Sequence, residues 1–144
     1  MSVEENKAIE LRFLEEVVNK GNLAVIDELV AANFIDHSAL PSAAPDREGY
    51  KQFFAMTRTA FPDFHSTLED MIAEGDKVVE RFTVRGTHKG EFMGIAPTGK
   101  QVEVEGIAIH RLAGGKIVED WFSMDMLGMM QQLGVVPAPG QGGK

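Results

Sequence analysis

The feature that most constrains this chain is a change of hydrophobic period near Pro62. Before it, apolar residues recur at three- and four-residue steps; after it, they alternate. Ile9, Leu11, Phe13, Leu14, Val17 and Val18 mark an amphipathic helix from Val3 to Asn19, stopped by Gly21. Val25, Ile26, Leu29 and Val30 form the stripe of a second, short helix from Leu23 to Val30, with Asn22 as its expected N-cap. Two prolines among small residues make Ala39 to Pro45 a loop, and Asp46 is placed to cap a third helix, Arg47 to Ala60. Tyr50, Phe53, Phe54 and Thr57 lie along one side of that helix.

Past Pro62 the alternation predicts four strands: Phe64 to Ala73, Lys77 to Thr87, Lys100 to Leu112 and Lys116 to Asp125. Glu74-Gly75-Asp76, a longer Gly90 to Gly99 loop and Ala113-Gly114-Gly115 connect them, so consecutive hairpins build an antiparallel sheet. Asp125 is expected to cap a last helix, Met126 to Leu133, through the backbone N–H of Leu127 or Gly128. One domain, residues 1–135, is expected, followed by a mobile Pro/Gly-rich tail, residues 136–144. Neither helices nor sheet can bury an apolar face alone, so the helices must cover one sheet face. The fold class is α+β: a curved antiparallel sheet closed by N-terminal helices into a cone around a small-molecule pocket, with Ile117 to Asp125 as one wall.

The length of 144 residues suits one core and one cavity. A net charge of −8, with 14 Lys and Arg scattered through the chain, lacks the clustered cations that a phosphate backbone requires, so nucleic acid is not an expected partner. There is no cysteine, which removes disulfides, thiolate nucleophiles and Cys-ligated zinc. No apolar run approaches a membrane span, and a cytoplasmic location is the default expectation.

Several ordered motifs carry a family likeness over nearly the whole chain. They are Ala60-Phe61-Pro62-Asp63-Phe64, the run Gly86-Thr87-His88-Lys89-Gly90-Glu91-Phe92-Met93-Gly94, Pro97-Thr98-Gly99-Lys100, Gly115-Lys116-Ile117-Val118-Glu119-Asp120-Trp121 and Gln131-Gln132-Leu133-Gly134. In these the sequence resembles the SnoaL-like polyketide (ester) cyclases. The resemblance implies the nuclear-transport-factor-2-like, or cystatin-like, cone and a homodimer packed through the outer sheet face. It also implies intramolecular aldol chemistry without metal or cofactor, with a pocket aspartate as general acid and base. Aligning the last strand without gaps puts Phe122 at that aspartate's position, and relatives commonly carry His where this chain has Asp120.

On a strand, Val118, Asp120, Phe122 and Met124 share one side, and Glu119, Trp121, Ser123 and Asp125 the other. If the family's pocket register holds, Asp120 faces inward beside Phe122 and Met124, where poor solvation raises its proton affinity. Asp120 is therefore the expected proton shuttle, able to remove a proton alpha to a carbonyl and return one to an alkoxide. His37 is the second catalytic candidate, since a histidine shuttles protons near neutral pH; its neighbour Asp36 is expected at the pocket, though adjacent extended residues point opposite ways. His88, at a strand end by the expected mouth, is a candidate to orient a carbonyl. Arg81 is read as turning inward, which requires a carboxylate partner such as Asp120. Phe54, Phe122 and Met124 complete the expected substrate wall. Trp121, on the opposite side, is expected at a dimer interface. His65 and His110 share no metal-ligand spacing with another histidine, so no metal site is expected. Two functions remain open: an acid/base enzyme acting on an apolar oxygenated small molecule by cyclisation, isomerisation or hydrolysis, and a non-catalytic binding domain of the same fold.

Overall fold

The computed structural model describes residues 2–39 and 43–137. Helix α1 (Val3–Phe13) starts in a capping box, in which the Ser2 hydroxyl accepts from Glu5 N and the Glu5 carboxylate accepts from Ser2 N. Its continuation, Leu14–Asn19, widens into a π-helical turn in which Lys20 N donates to Glu15 O at 3.1 Å. Helix α2 (Val25–Leu29) is shorter than its apolar stripe. Asn22 does not cap it with a side chain as expected; the Asn22 carbonyl accepts from Val25 N instead, at 3.2 Å.

The stripe ends early because Val30 opens a strand that the sequence pattern did not announce. Strand β1 (Val30–Asp36) pairs in parallel with the last strand, with a register break between Val30 and Ile35. Helix α3 (Arg47–Ala60) begins where predicted, Gly49 N donating to Asp46 Oδ1 at 2.9 Å. The four expected strands follow: β2 (His65–Glu74), β3 (Lys77–Thr87), β4 (Gln101–Ala113) and β5 (Lys116–Met124). Asp125 caps α4 (Met126–Leu133) by accepting from Gly128 N at 2.9 Å. Gly134 ends that helix at φ 83°, a left-handed conformation that glycine adopts without steric cost. Residues 138–144 of the expected tail, and residues 40–42 of the expected loop, lie outside the described residues.

The sheet runs β1-β5-β4-β3-β2, antiparallel throughout except for β1, and it curves without closing. Two apolar clusters hold helices to its concave face. One joins Phe13, Val17, Ile26, Val30, Phe34 and Ile117; the other joins Phe61, Val84, Phe92, Val104, Met129 and Leu133. Each large side chain so buried contributes about 1.5–3 kcal/mol. On the convex face the register aligns Ile72, Val79, Ile109 and Trp121 in one row across four strands. Ile72 and the nearby Ile107 are exposed there. Among the described residues, no helix is long and apolar enough to cross a membrane.

Candidate active site

Strand register builds the site. On the concave face, Val78 of β3 lies opposite His110 of β4, His110 opposite Asp120 of β5, and Asp120 opposite Asp36 of β1. His110 Nε2 sits 2.8 Å from Asp120 Oδ1, an ion-pair distance, with both side chains almost fully buried. From the helical side, Glu10 of α1 places both carboxylate oxygens 2.7 Å from His110 Nδ1. A carboxylate can only accept, so Nδ1 carries a proton and the ring is fixed with Nε2 toward Asp120. The Tyr50 hydroxyl approaches Nε2 at 3.4 Å, and the Phe13 ring packs on the imidazole edge-to-face at 6.1 Å between centroids.

Glu80, two residues past Val78 on the same face of β3, brings a fourth buried carboxyl group to this cluster. Charges at this depth are stabilised only by partners or by taking up protons. Burial, reinforced by the charge of Glu10, holds the Glu80 carboxyl well above its usual range. Burial and the neighbouring Asp120 charge raise Asp36 to about 6, although Ser38 N donates to its Oδ1 at 2.9 Å. His110 goes the other way: burial disfavours its cation, but Glu10 and Asp120 outweigh that, and its pKa lies well above the usual value. Burial and the Asp120 charge likewise keep Tyr50 a phenol. The cluster therefore favours a charged His110 between Glu10 and Asp120, beside a Glu80 carboxyl group that keeps its proton and an Asp36 that gives its proton up near 6.

A cavity of about 370 Å³ opens on this cluster, within the range of ligand-binding pockets. Asp120, His110, Glu80 and Tyr50 line it, as do Phe54, Phe122 and Met124. Leu14 and Val18 enter its wall from the π-helical turn. Gly106 of β4 leaves room for the Phe82 ring and Met124, because a Cβ there would fall 2.7 Å and 2.8 Å from them.

Of the residues singled out from sequence, Asp120, Phe122, Phe54 and Met124 are thus on the cavity wall. Asp36 is behind Asp120 and outside that wall. Three others are elsewhere. His37 turns to the convex face, where its ring stacks on Trp121 at 4.7 Å and its Nε2 pairs with Glu119 at 2.7 Å; with Asp36 buried inward, its neighbour in the extended chain must point outward. Arg81 is exposed on the convex face, because Val78, Glu80 and Phe82 occupy the inward phase of β3 or adjoin it on the concave side; His110 fills the place expected for Arg81 beside Asp120. His88 is fully buried but outside the cavity wall, stacked on Phe61 at 5.4 Å and accepting from Thr98 N at 3.2 Å, so it ties down the loop between β3 and β4.

Sequence reasoning missed Glu10, Glu80 and His110 as site residues, although each carried a signal. Glu10 lies on the buried stripe with Phe13 and Val17. Glu80 interrupts the inward series Val78, Phe82, Val84, and His110 interrupts Val102, Val104, Ala108, Leu112. A charged group in the apolar phase must have a partner, and here three such groups meet. Ligand atoms of Glu10, Glu80 and His110 lie within 4.8 Å of one another and are the group among the described residues with the proximity needed to hold a cation. In this arrangement, however, both His110 ring nitrogens already face carboxylates.

A family model for SnoaL-like polyketide cyclases matches residues 8–133. This chain belongs to that family. Solved structures agree over nearly the full length. TsrD of Streptomyces laurentii is 26% identical, covers 94% of this chain and 99% of its own, and superposes with a TM-score of 0.86. AclR of Streptomyces galilaeus, provisionally described as a hydroxylase, is 30% identical, with 95% and 85% covered and a TM-score of 0.83. IdmH of Streptomyces antibioticus, provisionally described as a polyketide cyclase, is 34% identical, with 90% and 98% covered and a TM-score of 0.78. No curated protein sequence matches the chain. The solved structures similar to this chain thus include proteins described as cyclases and as hydroxylases, on the curved-sheet fold seen here.

Proposed function

We propose that this protein is an enzyme that uses the side chains of its cavity wall for acid/base chemistry on an apolar, oxygenated small molecule, with Asp120 as the proton shuttle. The observation that carries this reading is the pairing of cavity-facing Asp120 with His110 at 2.8 Å, backed by Glu10. In an aldol-type cyclisation, the Asp120 carboxylate takes a proton alpha to a carbonyl. The resulting carbanion forms the new carbon–carbon bond at a second carbonyl, and the alkoxide so produced takes the proton from the Asp120 carboxyl group. His110 pairs with the carboxylate form of Asp120 before the first transfer and after the second, and its orientation is fixed by Glu10. Isomerisation uses the same two transfers on one skeleton.

The position of Phe122, where the ungapped alignment expects the family's aspartate, favours a second reading: a binding domain that holds such a molecule without reacting it. Incubation with a polyketide-type beta-keto ester separates the two. Turnover by the wild type and its loss in Asp120→Asn with binding retained support the enzyme; equal binding without turnover in both supports the binding domain.

We also infer a homodimer through the convex sheet face. The apolar row Ile72, Val79, Ile109 and Trp121 supports it, because a row of apolar side chains beside exposed Ile107 is what an interface core buries.

A further inference from the structure

Ser66 of β2 lies opposite Val84 of β3, and both line the cavity. Directly opposed residues of an antiparallel pair show their side chains to the same face, so the Ser66 hydroxyl shares the inward phase of Val84. Val84 belongs to the apolar cluster of Phe61 and Phe92, against which Phe64 and Phe82 pack. A hydroxyl in such a setting needs a reason. The backbone of Ser66 has one: β2 is an edge of the sheet, and its outer backbone groups require partners. Asn19, at the end of the π-helical turn, supplies both, since Ser66 N donates to Asn19 Oδ1 at 2.7 Å and Asn19 Nδ2 donates to Ser66 O at 3.0 Å. This clasp uses main-chain atoms alone, so an alanine would make it equally well, and it holds the residue in place without engaging the hydroxyl. Among the described residues the hydroxyl has no hydrogen-bond partner, yet it is not one of the polar atoms sealed away unpaired, which are Asn6 Oδ1, Glu80 Oε1 and His88 Nε2. It therefore keeps a face on the cavity.

We propose that Ser66 is a specificity-determining residue, whose hydroxyl takes a second oxygen function of the ligand, a carbonyl or a hydroxyl, remote from the one seated at Asp120. The proposal rests on the reading of this cavity as the substrate site and adds where a second substrate oxygen is recognised. Asp120 lies opposite His110, and His110 opposite Val78, which is six residues before Val84 on β3. At about 3.3 Å per residue, about 20 Å of strand separates the row of Asp120 from the row of Ser66. A single ligand oxygen cannot meet both groups. The serine hydroxyl both donates and accepts, so it serves a ketone or an alcohol alike. A site that offers a hydrogen bond to a ligand oxygen discriminates against the analogue without that oxygen, and loses this discrimination when the partner is removed.

Two matched pairs of β-tetralones test it by calorimetric titration of the full chain. On the ring away from the ketone, one pair carries a hydroxyl or a methyl of like size, and the other a hydroxymethyl or an ethyl, so the second oxygen is offered at two reaches. Ser66→Ala is expected to weaken the hydroxyl-bearing member of one or both pairs by about fivefold relative to its alkyl partner. Ser66→Thr keeps a hydroxyl on a strand residue and should retain the wild-type discrimination; its loss there would assign the effect to side-chain size and overturn the proposal. An equal change for both members of each pair in Ser66→Ala overturns it too, as does a failure of all four ketones to bind the wild type. The readout is binding alone. A selective loss in Ser66→Ala together with no Asp120-dependent exchange of the alpha hydrogens would reject the catalytic reading and leave this one standing, whereas Asp120-dependent exchange with no selective loss would do the reverse.

Discussion

His110 Nε2 and Asp120 Oδ1 lie 2.8 Å apart across the β4–β5 pair, and this contact is held from behind by Glu10 on a helix a hundred residues earlier in the chain. The strand register brings the first two together, and the docking of α1 on the sheet supplies the third. Site and core are therefore one construction: the helix that closes the cone also sets the imidazole. Removing His110 leaves Glu10 and Asp120 buried without their shared partner.

His110→Ala is expected to lower stability by about 3–5 kcal/mol, the cost of stranding a buried charge. Glu10→Gln, which keeps shape and one acceptor, should cost less. Urea denaturation of both variants and of the double variant should give a coupling of about 1 kcal/mol or more; strict additivity would show that Glu10 and His110 do not act together.

Asp36 makes stability depend on pH in a defined direction. Its carboxyl group is raised from an ordinary value of 3.8 to about 6 in the folded chain. The folded state holds this proton more tightly, so the contribution is complete below 3.8 and is lost as pH rises through about 6. Asp36→Asn removes that loss. The variant should gain stability relative to wild type between about pH 4 and pH 7 in parallel denaturation series, as the wild type loses what the raised carboxyl group contributes. A difference that stays constant across the window would mean that Asp36 does not titrate there.

Gly106 sets the width of the cavity. Gly106→Ala puts a methyl group 2.7 Å from the Phe82 ring and 2.8 Å from Met124, so both must move into the cavity. Overpacking of this kind costs about 1–3 kcal/mol. Binding of a bicyclic ketone such as β-tetralone should weaken more than thermal stability alone accounts for, as calorimetry and melting measured together would show. Unchanged binding would place the ligand elsewhere.

The convex face yields a prediction on assembly. Wild type should sediment as a dimer, and Ile109→Glu, which puts a charge in the centre of the apolar row, should sediment as a monomer with unchanged far-ultraviolet circular dichroism. A monomeric wild type would remove the dimer from the account.

Much of this was legible in the sequence, for identifiable reasons. α3, β3 and α4 fall where periodicity and their caps put them, because Asp46, Asp125 and the flanking turns act locally. β1 was not legible. Ala31, Ala32, Asn33 and Phe34 do not alternate, and the strand exists because β5 offers it a parallel edge. The inward phase of β5 could be read from alternation, which put Asp120, Phe122 and Met124 together. The phase of β3 is legible in the same way: Val78 and Phe82 carry Glu80 inward and leave Arg81 outward. The partner of Asp120 is set by the β4–β5 register across a bulge near Arg111, and Glu10 by how α1 docks. Neither distance exists along the chain.

The central claim is that Asp120 moves a proton at carbon. Its most direct test is exchange of the alpha hydrogens of β-tetralone in heavy water, followed by proton magnetic resonance with wild type and with Asp120→Asn at equal occupancy. The account predicts that wild type accelerates exchange and that Asp120→Asn loses about a hundredfold or more of that acceleration while still binding the ketone. Exchange that is equally fast in both proteins, or no faster with either than in buffer, would contradict it.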